Sequence, residues 1–389
     1  MKIAIVRGPS VTPWEMQAYT PLLQEHSLTA FSTSYSPFSI PADAPFPVVR
    51  CFWWDSILAP LHPKLRWLFN GMCSRLFGTS YYMHGLEKRL AGFDILHTLE
   101  THNTFSYQCA RAKHRYGSKL VITVWETIPF RGQSHPLRTW RKRQTMRAAD
   151  AYIAISERTR QMLITEGASP EKIHVIPMGI DCTHFSPRPE DLELRRQWGK
   201  DPDRFIILCV ARLVKEKGVY DLIDAIHRLK QTIPGVRVVY VGSGPEKAGM
   251  KMKIAQLGLE SQVIFSGFIT YAQMPKAYAT ADCLVLPSVP TPVWEEQFGY
   301  ALVEAMAMGL PVISTRSGAI PEVIGEAGIL VQPGSVPELA QALSSLAVDR
   351  FRREQLSEQG RARAVRLFDA RKIGGAMDNL YNSVKNPHP

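Results

Sequence analysis

Short apolar runs recur along the whole chain, and most are separated by segments with helical spacing. They fall at residues 2–6, 48–52, 95–98, 119–124, 151–155 and 173–177, then at 205–210, 236–241, 263–266, 283–286, 311–314 and 328–331. Runs this short and this apolar read as strands buried on both faces. Strands that alternate with helices build parallel sheets with helices layered against them. Two series of about six strands over 389 residues indicate two doubly wound α/β domains rather than one large sheet. Residues 178–189, where Pro177, Gly179, Pro187 and Pro189 gather among polar residues, read as the linker, because Pro breaks helices and Gly permits positive φ. Residues 361–384 carry one helical pattern through Val365, Phe368, Ile373, Met377, Leu380 and Tyr381.

Composition narrows the class. With 45% hydrophobic and 21% charged residues the chain is neither disordered nor fibrous. No apolar stretch approaches the ~18 residues of a membrane span. The opening run from Met1 to Arg7 is too short for a secretory leader and reads as a first strand. Six cysteines stand far apart without a CxxC pair, which indicates reduced thiols in a cytoplasmic protein, not a disulfide framework or a zinc site. Charge is uneven: residues 1–180 hold 21 Lys/Arg against 12 Asp/Glu, and residues 181–389 hold 25 against 23. A basic half suits nucleic acid, an anionic membrane face or a phosphorylated substrate. Nothing in the chain matches a nucleic-acid recognition motif or an aromatic-basic RNA-binding pattern. Residues 60–77 form a basic amphipathic stretch (Leu61, Leu65, Leu68, Phe69, Met72 and Leu76 around Lys64, Arg66 and Arg75), and residues 138–147 are rich in Arg. Each fits either an ordinary surface helix or a lipid-facing one.

The chemistry is concentrated in the second half. After the strand at 205–210 comes Ala211-Arg212-Leu213-Val214-Lys215-Glu216-Lys217-Gly218. A loop between a parallel strand and its helix faces the ligand crevice of an α/β protein, and there Arg212 and Lys217 can grip a diphosphate from two sides. The next strand ends in Gly242-Ser243-Gly244-Pro245, with Lys247 where a dinucleotide fingerprint needs glycine, which argues against a dehydrogenase. In Trp294-Glu295-Glu296-Gln297-Phe298-Gly299-Tyr300, a helix is expected from Phe298 to Met308. Its first N–H groups, at Phe298, Gly299 and Tyr300, offer an anion site. Glu296 precedes that helix and Glu304 stands two turns into it. Carboxylates beside an anion site suit a ligand with both hydroxyls and phosphates; a solvated helix position is the alternative for Glu304.

These segments together resemble the donor-binding half of the retaining glycosyltransferases of sequence family 4. The matching pieces are Ala211-Arg212-Leu213 with Lys217-Gly218, Val241-Gly242-Ser243-Gly244-Pro245, Phe265-Ser266-Gly267-Phe268, Ala281-Asp282 with Leu286-Pro287-Ser288, Glu296-x7-Glu304 and Gly318-x-x-Pro321-Glu322-Val323. Val175-Ile176-Pro177-Met178-Gly179-Ile180-Asp181 with Phe185 is similar to the family's linker, with Met178 where Asn is usual.

The resemblance implies a GT-B fold: two Rossmann-like doubly wound domains facing each other across a cleft. Residues 1–180 would take the acceptor, 181–365 the donor, and the helix at 366–389 would pack back toward the first domain. It further implies transfer of a hexose-type sugar from a UDP- or GDP-linked donor to a glycan or lipid-linked acceptor, with retention, in polysaccharide or cell-envelope glycan synthesis. A non-catalytic sugar-nucleotide-binding partner subunit is the alternative, and the related epimerase use of this architecture, which needs no acceptor, is another. By carry-over, Arg212 and Lys217 bind the diphosphate and stabilise the leaving group, and Glu304 holds the ribose. Gly242 lines the donor site, Gly267 and Phe268 meet the base, and Glu296 with the N–H groups of Phe298, Gly299 and Tyr300 positions the sugar. No metal or cofactor is implied.

The first half matches less. Arg7-Gly8-Pro9 offers one glycine, Gly8, where a glycine-rich loop is common, and Trp125-Glu126-Thr127 stands where many members carry a histidine. Either Glu126 takes part of that catalytic role or Trp125 stacks on a sugar; Glu100 and His102 are further acceptor-side candidates. Charge and family habit together allow peripheral contact with an anionic membrane at its inner face, with no nucleic acid.

Overall fold

The computed structural model describes residues 1–34, 44–53, 68, 71–72, 75, 78, 82–131, 133, 135–199, 205–233 and 235–386. The apolar runs are strands, and all pair in parallel. β1 (Lys2–Gly8), β2 (Ser27–Thr33), β3 (Val48–Cys51), β4 (Ile95–Leu99), β5 (Lys119–Val124), β6 (Ala151–Ala154) and β7 (Ile173–Val175) form a sheet of order β3-β2-β1-β4-β5-β6-β7. β8 (Ile206–Val210), β9 (Arg237–Val241), β10 (Val263–Gly267), β11 (Cys283–Leu286), β12 (Val312–Thr315) and β13 (Ile329–Val331) form a second, of order β10-β9-β8-β11-β12-β13. Each sheet grows outward from its first strand and then reverses, between β1 and β4 and between β8 and β11. At such a reversal the loops leaving the strands' carboxyl ends diverge and open a ligand crevice.

One strand escapes the apolar-run reading. In β2 the residues Ser27, Thr29, Ser32 and Thr33 interrupt the pattern, yet the strand is mostly buried between β1 and β3. The Ser32 hydroxyl is satisfied by donating to the Gly8 carbonyl (2.9 Å), which removes the cost of burying it. The helical pattern at 361–384 is also two helices rather than one. Arg350–Leu367 stops, Phe368 accepts a hydrogen bond from the Ile180 N–H (2.7 Å), and Ala370–Lys385 follows.

The chain divides there and at the linker into two compact units, Met1–Gly179 with Ala370–Pro389, and Ile180–Asp369. In the first, the closing helix lays Ile373, Met377, Leu380 and Tyr381 against Ile3, Ile5 and Tyr19. Each such side chain contributes ~1.5–3 kcal/mol on burial. Arg7 continues the row of Ile3 and Ile5 yet is fully buried. It donates to the Tyr19 phenol and lies over that ring at 5.4 Å. In the second unit, helix Val219–Leu229 buries Val219, Leu222, Ile223, Ile226 and Leu229, the i, i+3, i+4 stripe of an amphipathic helix.

The five described cysteines are buried thiols, and burial pushes Cys209 up to about 12. Among the described residues no helix is long and apolar enough to cross a membrane. The amphipathic stretch at 60–77 lies outside the described residues except at 68, 71–72 and 75. The Arg-rich stretch falls on helix Pro136–Ala148 and is not simply a solvated face. Lys142 is buried against Glu166 (2.5 Å), and Arg141 donates to the Gly78 carbonyl (3.0 Å).

Candidate functional site

The loops that leave β8 and β11 meet at the second sheet's reversal. After β8 the chain makes a tight turn, Lys215–Lys217, ended by Gly218 at φ +66°. A Cβ at 218 would lie 1.9 Å from the Pro287 carbonyl oxygen, so only glycine lets the two loops touch. That contact carries Lys217 to Glu296: Nζ lies 2.6 Å from the carboxylate, and the Ser288 hydroxyl donates to the same oxygen at 2.7 Å. The Lys217 ammonium also sits 4.8 Å from the centre of the Trp294 ring, an attractive cation–π arrangement. A second glycine fixes the other side of Glu296. Gly318, at φ +55°, would place a Cβ 2.0 Å from the Glu296 carbonyl oxygen, and Ala319 N–H donates to that oxygen at 2.9 Å.

Arg212 contrasts with Lys217. Its side chain is 69% exposed and approaches Glu216 at only 3.9 Å, a pair worth ~0–1 kcal/mol at most. The guanidinium therefore stands ready for an anion brought from outside.

The helix after Glu296 begins at Tyr300, not Phe298. Gly299 is its left-handed cap at φ +84°, and the helix runs Tyr300–Ala307. Phe298 is a buried anchor, edge-on to Tyr300 (5.4 Å) and Phe368 (5.6 Å). Its N–H and that of Gly299 thus precede the helix, and the first-turn donors begin at Tyr300. Glu304 is not a solvated helix residue. It is buried, the Tyr278 phenol donates to its carboxyl at 2.6 Å, and burial raises its pKa to about 7. Gly242, at φ +133°, abuts the Ala211 carbonyl, where a Cβ would lie 2.1 Å away; its glycine is demanded by packing between loops. Gly267 has open space above it, and Phe268 beside it is 80% exposed.

The candidates of the first unit are differently placed. Gly8, at φ +58°, lies against the Phe105 ring. Glu100 takes a left-handed backbone (φ +61°), is buried, and accepts the N–H groups of Trp125 (2.8 Å) and Glu126 (3.1 Å). Burial raises it to about 7. Glu126 accepts from the N–H groups of Thr127 and Ile128 (3.1 Å each) and pairs with Arg131 (3.0 Å). That occupied carboxylate organises its own loop, which weakens the expectation that it replaces a catalytic histidine. Trp125 is half-buried against the core. His102 lies 3.9 Å from Glu100, and burial together with Lys142, Arg138 and Arg131 lowers its pKa to about 4.

Sequence reasoning missed Ser288, Trp294 and Tyr278 as neighbours of Glu296, Lys217 and Glu304. Ser288 and Trp294 stood inside matched segments, but only the fold shows that they converge on Glu296 and Lys217. Nothing in the spacing pairs Tyr278 with Glu304.

Two family models cover most of the chain: "Glycosyltransferase Family 4" over residues 31–184 and "Glycosyl transferases group 1" over residues 190–363. The chain is 30% identical over 220 residues to 2-deoxystreptamine glucosyltransferase of Streptomyces kanamyceticus, covering 55% of this chain and 56% of that protein. It is 28% identical over 237 residues to GDP-mannose-dependent alpha-(1-6)-phosphatidylinositol monomannoside mannosyltransferase of Mycolicibacterium smegmatis, covering 60% and 62%. The chain thus spans little more than half the length of these relatives. Anabaena Alr3699/HepE, crystallised with UDP, superposes with a TM-score of 0.78 over 98% of this chain and all of that one, at 23% identity. Two parallel Rossmann-like sheets of this order, matched along almost the whole chain, define the GT-B architecture. The chain belongs to the group 1, family 4 type of glycosyltransferases.

Proposed function

We propose that this protein moves a hexose-type sugar from a nucleoside diphosphate sugar, UDP- or GDP-linked, to a glycan or lipid-linked acceptor, with retention at the anomeric carbon. The observation that carries this reading is the convergence of Lys217, Glu296 and Ser288 at the β8/β11 reversal, beside the exposed Arg212. Lys217 has three donor hydrogens, so it can hold Glu296 and still take a phosphate oxygen. Arg212 supplies a planar fork to the same diphosphate, and the helix start at Tyr300 adds N–H groups. Glu296 accepts from sugar hydroxyls and Glu304 from the ribose.

Transfer breaks the bond from the anomeric carbon to the β-phosphate oxygen. Positive charge develops on the sugar ring and negative charge on the leaving diphosphate. Each fixed donor aimed at that charge is worth ~3 kcal/mol. The acceptor hydroxyl attacks from the face the diphosphate leaves, and the departing phosphate takes its proton, which yields retention without a protein nucleophile. No metal is required: EDTA-treated protein should keep its activity, and its loss would refute this part.

The acceptor is taken to be part of a polysaccharide or cell-envelope glycan. Support comes from the basic first half and from exposed Phe130, Leu137 and Trp140 near Arg131 and helix Pro136–Ala148. A relative whose name includes phosphatidylinositol monomannoside points the same way. The reading places the protein in the cytoplasm, touching the inner face of an anionic membrane. Flotation with anionic vesicles that is unchanged when Arg138, Arg143 and Arg147 are replaced would remove the membrane contact. The main test is thermal shift with UDP, GDP, ADP and CMP and their sugar conjugates, on wild type and Arg212→Ala. Anything that binds only the folded state raises Tm by mass action. Stabilisation of wild type alone by one nucleotide, followed by sugar transfer, supports the reading. Binding without transfer or donor hydrolysis favours the non-catalytic partner.

A further inference from the structure

Glu304 lies in the middle of an aromatic enclosure that no matched motif describes. Tyr278, from helix Met274–Thr280, is buried and donates its phenol to the carboxyl at 2.6 Å. Tyr271, from the turn Tyr271–Gln273, brings a second phenol close enough to the same carboxyl to favour its charged form. Phe185 of the linker is fully buried behind both, edge-on to Tyr271 (5.3 Å) and Tyr278 (6.0 Å). Arg361 ties this corner to the helix that carries Glu304. Its guanidinium donates to the carbonyls of Phe185 (2.8 Å), Cys182 (3.1 Å) and Ala307 (2.6 Å).

We propose that Tyr278, backed by Phe185, is the positioning residue that fixes Glu304 for a nucleoside's vicinal hydroxyls and keeps it in its accepting form; this rests on Glu304 holding the ribose. The stoichiometry suits the role. An ionised carboxylate has about four acceptor sites, so the Tyr278 hydrogen bond leaves room for two ribose hydroxyls. A protonated carboxyl would turn one of those sites into a donor and oppose the ligand. The polar groups that face Glu304 are the phenols of Tyr278 and Tyr271; Tyr300, on its own helix, and Asp181 in the linker act on Tyr271, and Arg361 reaches the end of the helix at the Ala307 carbonyl. Burial raises the carboxyl, and the phenols pull it back down by stabilising the charged form.

Tyr278→Phe removes the hydroxyl and leaves the ring to pack. UDP and GDP affinity is measured by calorimetry from pH 5.5 to 9 on wild type, Tyr278→Phe and Glu304→Gln, with Tm recorded for each. The nucleotide's own phosphate titration is common to all three and cancels in the ratios. Tyr278→Phe should bind about fivefold more weakly near pH 7 and about tenfold more weakly at pH 5.5, and recover at pH 9, its midpoint raised by about one unit. Glu304→Gln should be weak at every pH. A Tyr278→Phe profile parallel to wild type, whether equal or uniformly weakened, overturns the proposal while a weak Glu304→Gln preserves the ribose role. Wild-type affinity in Glu304→Gln overturns both.

Discussion

Both units place a sheet reversal where a ligand crevice forms, yet their polar side chains at the strand ends have opposite fates. In the second unit Arg212 and Phe268 stand open to solvent, and Lys217 and Glu296 share one ion pair beside them. In the first unit the equivalent charges are consumed by the chain. Glu100 holds two backbone N–H groups, Glu126 holds two more and an arginine, and Lys142 is buried on Glu166. Topology sets where the loops go but not what their side chains are for. A strand-end carboxylate in the second unit is a candidate ligand for substrate; one in the first is mostly a fastener. On the proposed reading, acceptor recognition would then draw on exposed side chains of the first unit such as Trp140 rather than on its buried acids.

The largest effect should come from breaking a fastener. Lys142→Met leaves Glu166 charged and buried, a loss of ~3–5 kcal/mol. Thermal unfolding with hydrogen exchange should place that loss in residues 1–179, with nucleotide binding retained by the folded fraction. Full stability, or binding lost without unfolding, would break the contrast between the units. Arg212→Ala tests the other side. An exposed guanidinium contributes little to folding, so Tm should hold while transfer slows by ~10²–10³-fold. An equal loss of both would make Arg212 structural.

The legibility of each unit follows the same division. In the second, the positions of Arg212, Lys217, Glu296 and Glu304 could be read because they follow the loops that end β8 and β11 and the helix start at Tyr300, while their roles rest on the family resemblance. What escaped were contacts made across the fold: Ser288 on Glu296, Trp294 under Lys217, Tyr278 on Glu304. Such pairs bring together different elements, and local spacing carries no trace of them. In the first unit the strands were legible except β2, whose hydroxyls hide its burial. Glu126 read as a catalytic stand-in because a loop carboxylate after a strand looks alike whether it caps backbone N–H groups or faces a sugar. The break at Phe368 was invisible because the helical spacing runs through it, and a hydrogen bond from Ile180 decides the matter.

The smallest effect sharpens the fastener idea through pH. Glu100, buried in the first unit, is raised from 4.5 to about 7, as are Glu15 beside Arg7 and Glu304 in the second unit. Between those values the folded chain binds more protons than the unfolded one, so stability falls as pH rises through that window and levels off above it. Glu100→Gln keeps a carbonyl for the Trp125 and Glu126 N–H groups but removes the ionisation. It should flatten the decline by up to ~1.4 kcal/mol per pH unit and leave nucleotide affinity unchanged. Unfolding midpoints at pH 5, 6, 7 and 8 measure the slope directly. An unaltered slope would mean that Glu100 is ionised throughout and open to solvent, a ligand-facing group like those of the second unit.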